Sequence, residues 1–372
     1  METHIQISFL VILIVAIYIF KSLYKPDLKN RHTIYFKIKN NLNSLLLGET
    51  YKNIQNKTYY QEISSEIIHT ITSEIKEGKY WKSVIKEKFK DTNSWLYNII
   101  LSKKRTHFFD RYICPKNLRI LDIGSGWGQF TIPFARKNFI TCIEPNHAKL
   151  EFIKSVAKQE NVKNNISFIC SNYFDLNFVS RFDLILSIGV LEWCGKYNDM
   201  SQEPEIIQRK FLKNIKNDLS SNGKLIIGIE NRIGLKYLLG ANDDHTGLSG
   251  ISYLRTEFSK KKYKDHTGKC LKTLTYTLYE YRNILKDCNF KKIQMYAALP
   301  DYKIPTEFFP ITKNLKNSAM NNYILKGGKI IDHDGTNGNI LKNFDELNST
   351  YFTLAEMNIS HYFAPSFYII AS

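Results

Sequence analysis

Between Ile120 and Phe130 the chain reads ILDIGSGWGQF, an apolar run closed by Asp122 and followed by glycines at 124, 126 and 128. Side chains given up at alternate positions point to a backbone that must turn sharply, or lie against a ligand that a Cβ would block. A second carboxylate, Glu144, stands near the end of the run FITCIEP, 22 residues after Asp122. At a strand end such a carboxylate can accept hydrogen bonds from both hydroxyls of a ribose. The glycine pattern is G-x-G-x-G, with Gln129 where a dinucleotide loop would place its last glycine. A pyrophosphate-binding loop therefore fits poorly, and a nicotinamide-dependent oxidoreductase is disfavoured. A third group is NDDHTG, which sets Asp243 and Asp244 beside His245. The ordinary imidazole pKa lies near working pH, so His245 is the natural general base, with either aspartate to orient it or to act directly.

These groups need a scaffold that brings strand ends together. Short β-rich runs (LRILDIG, FITCIEP, NISFICS, FDLILSIG, GKLIIGIE) alternate with helix-like stretches, the pattern of βαβ units in a doubly wound, parallel α/β sheet. Two later runs, KKIQMYAAL from Lys291 and SFYIIA at 366–371, read as further strands. Upstream, residues 60–112 read as a helical lead-in or cap: Ile63, Ile67, Ile68, Ile71 and Ile75 form one face, and Trp81, Val84 and Ile85 begin another. Residues 25–59 are polar and Asn/Lys-rich and read as a linker. The main domain is expected over 113–372, with an insertion at about 298–362 before the last strand.

In their order and spacing, LDIGSGWG, FITCIEP, FICSNYFDL and FDLILSIGVLEW resemble the motifs of class I S-adenosylmethionine-dependent methyltransferases, over about residues 100–230. The resemblance implies a Rossmann-like methyltransferase sheet and S-adenosylmethionine as cofactor. It puts Gly124, Gly126 and Gly128 against the methionine part, Asp122 at the ammonium group and Glu144 at the ribose. It puts Gly189, Val190 and Leu191 beside the cofactor. The family's acidic adenine contact corresponds to Asn172 here, an amide.

GIENRIGLKYLLGANDDHTG, PDYKIP and APSFYIIA are similar to a bacterial methyltransferase group associated with glycosyltransferases of surface-polysaccharide assembly. That likeness implies O-methylation of a sugar in a glycan or glycolipid precursor, with glycosyltransferases as partners. On this reading Glu230 meets a sugar hydroxyl or pairs with Arg232. Arg232 and Lys236 clamp a phosphate or uronate, or form a solvated helix face, and Tyr237 stacks on a sugar ring or joins the core. The alternatives are a methyltransferase acting on a small molecule or lipid, and a non-catalytic cofactor-binding scaffold in a polysaccharide assembly complex.

Composition bounds the rest. The 372 residues are 43% hydrophobic and 13% aromatic, values of a folded chain, with a formal net charge of +17. That excess fits heavy Lys, Asn and Ile usage throughout, or attraction to an anionic partner. No basic stripe with interleaved aromatics points to nucleic acid. Among the six cysteines there is no CxxC pair or zinc spacing, so no metal is expected, and Cys142, Cys170 and Cys194 read as small buried hydrophobes. The run IQISFLVILIVAIYIFKSLY, Ile5 to Tyr24, carries one charge. As a helix it would reach ~30 Å, the thickness of a bilayer core. Lys21, Lys25, Lys29, Arg31, Lys37 and Lys39 flank it, so the expectation is a single N-terminal membrane helix over residues 1–24 with the catalytic domain held on the cytoplasmic side.

Overall fold

The computed structural model of the protein describes residues 32–38, 41–53, 59, 61–198, 201–312, 318–330 and 344–372. The stretch expected to be a linker holds three strands, β1 (Thr33–Ile38), β2 (Asn41–Leu46) and β3 (Thr50–Lys52). The reason is a period-two pattern hidden among Asn and Lys: Ile34 and Phe36 are buried in one core with Phe178 and Phe182. β1 lies between β2 and the short β7 (Asn177–Phe178) in a small sheet. β3 instead joins the main sheet, parallel to β6 (Ile166–Cys170).

Among the described residues the main sheet has nine strands. Its parallel part is built from β3, β6, β5 (Phe139–Ile143), β4 (Arg119–Ile123), β8 (Phe182–Ile188) and β9 (Leu219–Glu230), in that spatial order. β12 (Ser366–Ala371), β10 (Ile293–Leu299) and β11 (Glu307–Pro310) follow, all antiparallel. Every run expected to be a strand is one. Successive residues of β4 bury on opposite faces, Ile120 in one core and Leu121 in the other, as strands covered on both sides must. Strand order reverses between β4 and β8, so their carboxyl ends splay apart and leave a crevice.

Four helices form the lead-in, at Ser65–Lys76, Trp81–Phe89, Ser94–Leu101 and His107–Tyr112. Ile68, Ile71 and Ile75 face the core as expected, but Ile67 is largely exposed. The insertion before β12 holds β11 and the helices Ala319–Leu325 and Phe344–Glu356, whose residues Met320, Ile324, Leu347 and Tyr351 pack into the β12 side of the molecule. All six cysteines are unpaired, and Cys142, Cys170 and Cys194 are buried.

The expectation of a single-pass membrane protein is corrected. Among the described residues no helix is long and apolar enough to cross a membrane. The apolar run at residues 1–24 lies outside the described residues. Part of its basic flank, Lys37, is an exposed residue of β1.

Candidate active site

The carboxyl ends of β4, β5, β8 and β9 open into a cleft of about 230 Å³. One end belongs to the glycine loop. Gly124, Gly126 and Gly128 have φ of +67°, +57° and +78°, the left-handed region that glycine adopts without strain. A Cβ on Gly124 would meet Val190 Cγ2 at 2.8 Å, and Gly126 donates its N–H to Glu144 Oε2 at 2.8 Å. Gly128 differs from the other two. It lies outside the cleft lining, and a Cβ there would press on Ile132 and Ile153 at 3.2–3.3 Å. Its expected cofactor contact gives way to packing of the loop against the helix His147–Gln159.

Asp122 and Glu144 both line the cleft. Asp122 is buried and accepts a hydrogen bond from Thr131 Oγ1 at 2.5 Å; burial pushes its pKa up to about 6. Glu144 Oε1 accepts the Asn146 N–H at 2.9 Å, and burial raises its pKa despite the nearby Lys149 ammonium. Gly189, φ +70°, lines the same wall. A side pocket of about 100 Å³ continues past Tyr59, Val190, Trp193 and Tyr197 to Asn172. Asn172 Nδ2 donates to the Tyr197 carbonyl at 3.3 Å and to Asn198 Oδ1 at 3.0 Å, so its amide shapes this pocket.

The other end of the cleft holds Glu192, Glu230, Asp244, His245, Tyr302 and Lys303. His245 Nε2 lies 3.6 Å from Glu230 Oε2 and 3.8 Å from Glu192 Oε1, while Nδ1 faces Asp243 Oδ1 at 4.0 Å. Burial disfavours an imidazolium here, but the carboxylates of Glu230, Glu192 and Asp243 outweigh it and raise the His245 pKa to about 9. The ordinary imidazole value, which recommended His245 as base, does not hold in this setting. Burial raises the Glu192 carboxyl, with the His245 charge opposing. Glu230 is drawn the other way: burial opposes, but Lys303 and His245 hold it below the usual carboxylate range.

Asp244 is tied down. Tyr237 Oη donates to Asp244 Oδ2 at 2.9 Å and Lys236 Nζ at 3.1 Å, and Lys303 Nζ lies 3.8 Å away. Burial would raise its pKa, yet the two ammonium groups and His245 hold it far below the carboxylate range. Such a carboxylate positions its neighbours and is a poor base. The same contacts correct two substrate assignments: Lys236 and Tyr237 are buried behind Asp244 and do not line the cleft. Arg232 is corrected as well. Its side chain lies in a separate small pocket, 3.4 Å from Glu280 and 3.3 Å from Thr256 Oγ1, rather than beside Glu230.

Sequence reasoning missed Glu192, Lys303 and Arg105. Lys303 Nζ donates to Glu230 Oε1 at 2.5 Å across 73 residues. Arg105, from the lead-in, is buried against Phe130 and lines the cleft on the Asp122 side. The stretches were in view, Glu192 inside GVLEW and Lys303 inside PDYKIP, but nothing local marks either as facing His245.

Residues 115–281 match a family model described as a methyltransferase domain. That span holds the glycine loop, Glu144, Glu192, Glu230 and His245. The match and the α/β sheet agree: residues 115–281 are similar to a methyltransferase domain on a Rossmann-like sheet, a fold that implies S-adenosylmethionine as the methyl donor. No curated protein matches the chain. Solved structures similar to it include an O-methyltransferase family 2 protein from Planctomyces limnophilus DSM 3776, at 18% identity and TM-score 0.34 over 54% of this chain and 52% of that one. Others are the CcbJ methyltransferase from Streptomyces caelestis (11% identity, TM-score 0.39, 55% and 83% covered) and an S-adenosylmethionine-dependent methyltransferase from Clostridium acetobutylicum ATCC 824 (22%, 0.32, 41% and 63%). The chain thus spans about half the length of the first of these. Likeness at this level bears on neither substrate nor mechanism.

The cleft fits the donor on its own terms. The positive-φ glycines 124, 126 and 189 leave parts of the wall free of side chains, Asp122 and Glu144 offer buried acceptors for an ammonium and a ribose, and the side pocket beyond Val190 is mostly apolar.

Proposed function

We propose that the protein methylates a hydroxyl of a sugar in a glycan or glycolipid precursor, working beside glycosyltransferases. The observation that carries this reading is the shared cleft: the glycine loop and the Glu192–His245–Glu230 group are its two ends. The donor supplies the chemistry, a methyl on a positive sulfur that departs readily. The protein holds nucleophile, methyl and sulfur in line.

A sugar hydroxyl is a weak nucleophile and must lose its proton as it attacks. Glu192 supports that step, since both its oxygens are buried without a hydrogen-bond donor. The C–S bond breaks, the O–CH3 bond forms, and the proton passes to a Glu192 oxygen. S-adenosylhomocysteine leaves neutral at sulfur. His245 and Lys303 balance the negative charge of the pocket, and Asp244 fixes Lys303 and Lys236. The sugar itself is supported by the likeness of GIENRIGLKYLLGANDDHTG and PDYKIP to polysaccharide-associated methyltransferases.

The test is transfer of labelled methyl from S-adenosylmethionine to a panel of sugar, amine and lipid acceptors. The expected outcome is label on a sugar oxygen. Glu192→Gln and His245→Ala should each lower turnover about a hundredfold or more, the scale of a positioned proton acceptor, with S-adenosylhomocysteine affinity within about twofold of the parent. Label confined to amine nitrogen or to a lipid would sink the sugar reading.

A further inference from the structure

We propose that Glu192, Glu230 and His245 form a binding site for a divalent cation of the zinc or manganese kind. One ligand atom from each, Glu192 Oε1, Glu230 Oε2 and His245 Nε2, falls within a sphere where all three lie less than 4.8 Å apart. The two distances to the imidazole are 3.6 and 3.8 Å. Ligand atoms about 2.1 Å from a metal stand roughly 3–3.5 Å from one another, so the imidazole lies within a few tenths of an ångström of that spacing from each carboxylate.

Two further observations point to a ligand. Glu192 is 1% exposed, lines the cleft, and neither of its oxygens has a hydrogen-bond partner. Glu230 Oε2 is equally unpartnered, although Lys303 serves Oε1 of the same carboxylate. Buried carboxylate oxygens left without donors are costly, and a coordinated cation removes that cost. The imidazole is presented as a metal-ligating histidine usually is, with Nε2 inward and Nδ1 toward a carboxylate. That carboxylate is itself fixed. Asp243 Oδ1 accepts the backbone N–H of His245 at 3.0 Å and of Thr246 at 2.8 Å, and Oδ2 accepts the Ser252 hydroxyl at 2.7 Å.

The mixed set of one imidazole and two carboxylates suits an ion between the soft and hard extremes. The open side of the group faces the cleft, where water or an acceptor oxygen completes the coordination. The acceptor's part in this rests on the hydroxyl reading above; the ion site does not. An ion there would polarise the hydroxyl, whose proton goes to the uncoordinated Glu192 oxygen as the methyl transfers.

The experiment uses the full chain, stripped with a chelator and titrated with manganese(II) chloride while the free-ion paramagnetic resonance signal is followed. Zinc is measured by competition with a chromophoric chelator. No acceptor is present, so the result is independent of the substrate reading. The expected result is one ion per chain, with affinity lowered at least tenfold in both Glu192→Gln and Glu230→Gln. S-adenosylhomocysteine binding in the same samples shows that each variant is folded, and Asp218→Asn, at a residue that lines neither the cleft nor its side pocket, should bind the ion like the parent. Absence of binding of either ion by the parent overturns the proposal, and His245 and Lys303 then supply the compensating charge. Binding unchanged in both glutamine variants overturns it too.

Discussion

At the level of single residues, the three loop glycines divide by what a Cβ would touch. Gly124 faces Val190 at the cleft wall, whereas Gly128 faces Ile132 and Ile153 behind it. Both have positive φ, where an alanine costs about 1–3 kcal/mol of strain. Gly124→Ala should therefore lose stability and also weaken S-adenosylhomocysteine binding about tenfold or more, because Val190 must move in the pocket. Gly128→Ala should lose stability on the same scale while keeping near-parental affinity. Calorimetric titration and thermal melts on the two variants check the contrast; equal loss of affinity would show that Gly128 also shapes the pocket. This motif was legible because its three members sit within five residues. Local spacing cannot say which glycine serves the ligand and which the packing. The far end of the cleft was legible only in part: His245, Asp244 and Glu230 line it, whereas the side chains of Arg232, Lys236 and Tyr237 meet protein partners. Which way a side chain leaves a loop depends on tertiary neighbours that no single stretch records.

Elements were legible where apolar runs alternated with helix-like stretches, as in β4, β5, β6, β8 and β9, and illegible where a strand's core residues, Ile34 and Phe36 of β1, stood within a polar, Asn/Lys-rich stretch. One contact between elements gives a pH dependence of folding. The helix Pro204–Asp218 ends in a buried carboxyl that meets Tyr173 Oη at 2.7 Å. Burial pushes Asp218 up to about 7, with the Tyr173 hydroxyl and the Arg181 charge opposing. In the unfolded chain the same carboxyl titrates near 3.9. Below about pH 4 both states are protonated and the contact contributes fully. Between about 4 and 7 the unfolded state sheds a proton that the folded state keeps, so stability falls as pH rises, by at most about 1.4 kcal/mol per pH unit. Above about 7 this group adds no further slope. Asp218→Asn should flatten that part of the profile of Tm against pH. An unchanged slope between pH 4 and 7 would remove Asp218 as its source.

Across the whole molecule, the glycine-loop end of the cleft comes from the parallel half of the sheet, and the His245 end depends in part on the antiparallel half. β10 and the turn after it carry Tyr302 and Lys303 to the mouth of β9, where Lys303 meets Glu230. The matched methyltransferase span ends at residue 281, so this ammonium comes from outside it. Lys303→Met would keep the stem and remove the charge, leaving Glu230 Oε1 buried without its donor. We expect a loss of about 1–3 kcal/mol, the cost of an orphaned buried acceptor, with the lower end favoured because Lys303 is partly exposed. Glu230→Gln should cost less in the Lys303→Met background than in the parent, since the charge that needed a partner has gone. A double-mutant cycle by chemical denaturation reads this coupling. Turnover should fall in Lys303→Met while S-adenosylhomocysteine affinity stays within about twofold, because the cofactor wall is built from β4, β5 and β8. Strict additivity in the cycle would reduce the ion pair to a contact without energetic weight, and a large loss of cofactor affinity would mean that the two ends of the cleft do not work separately.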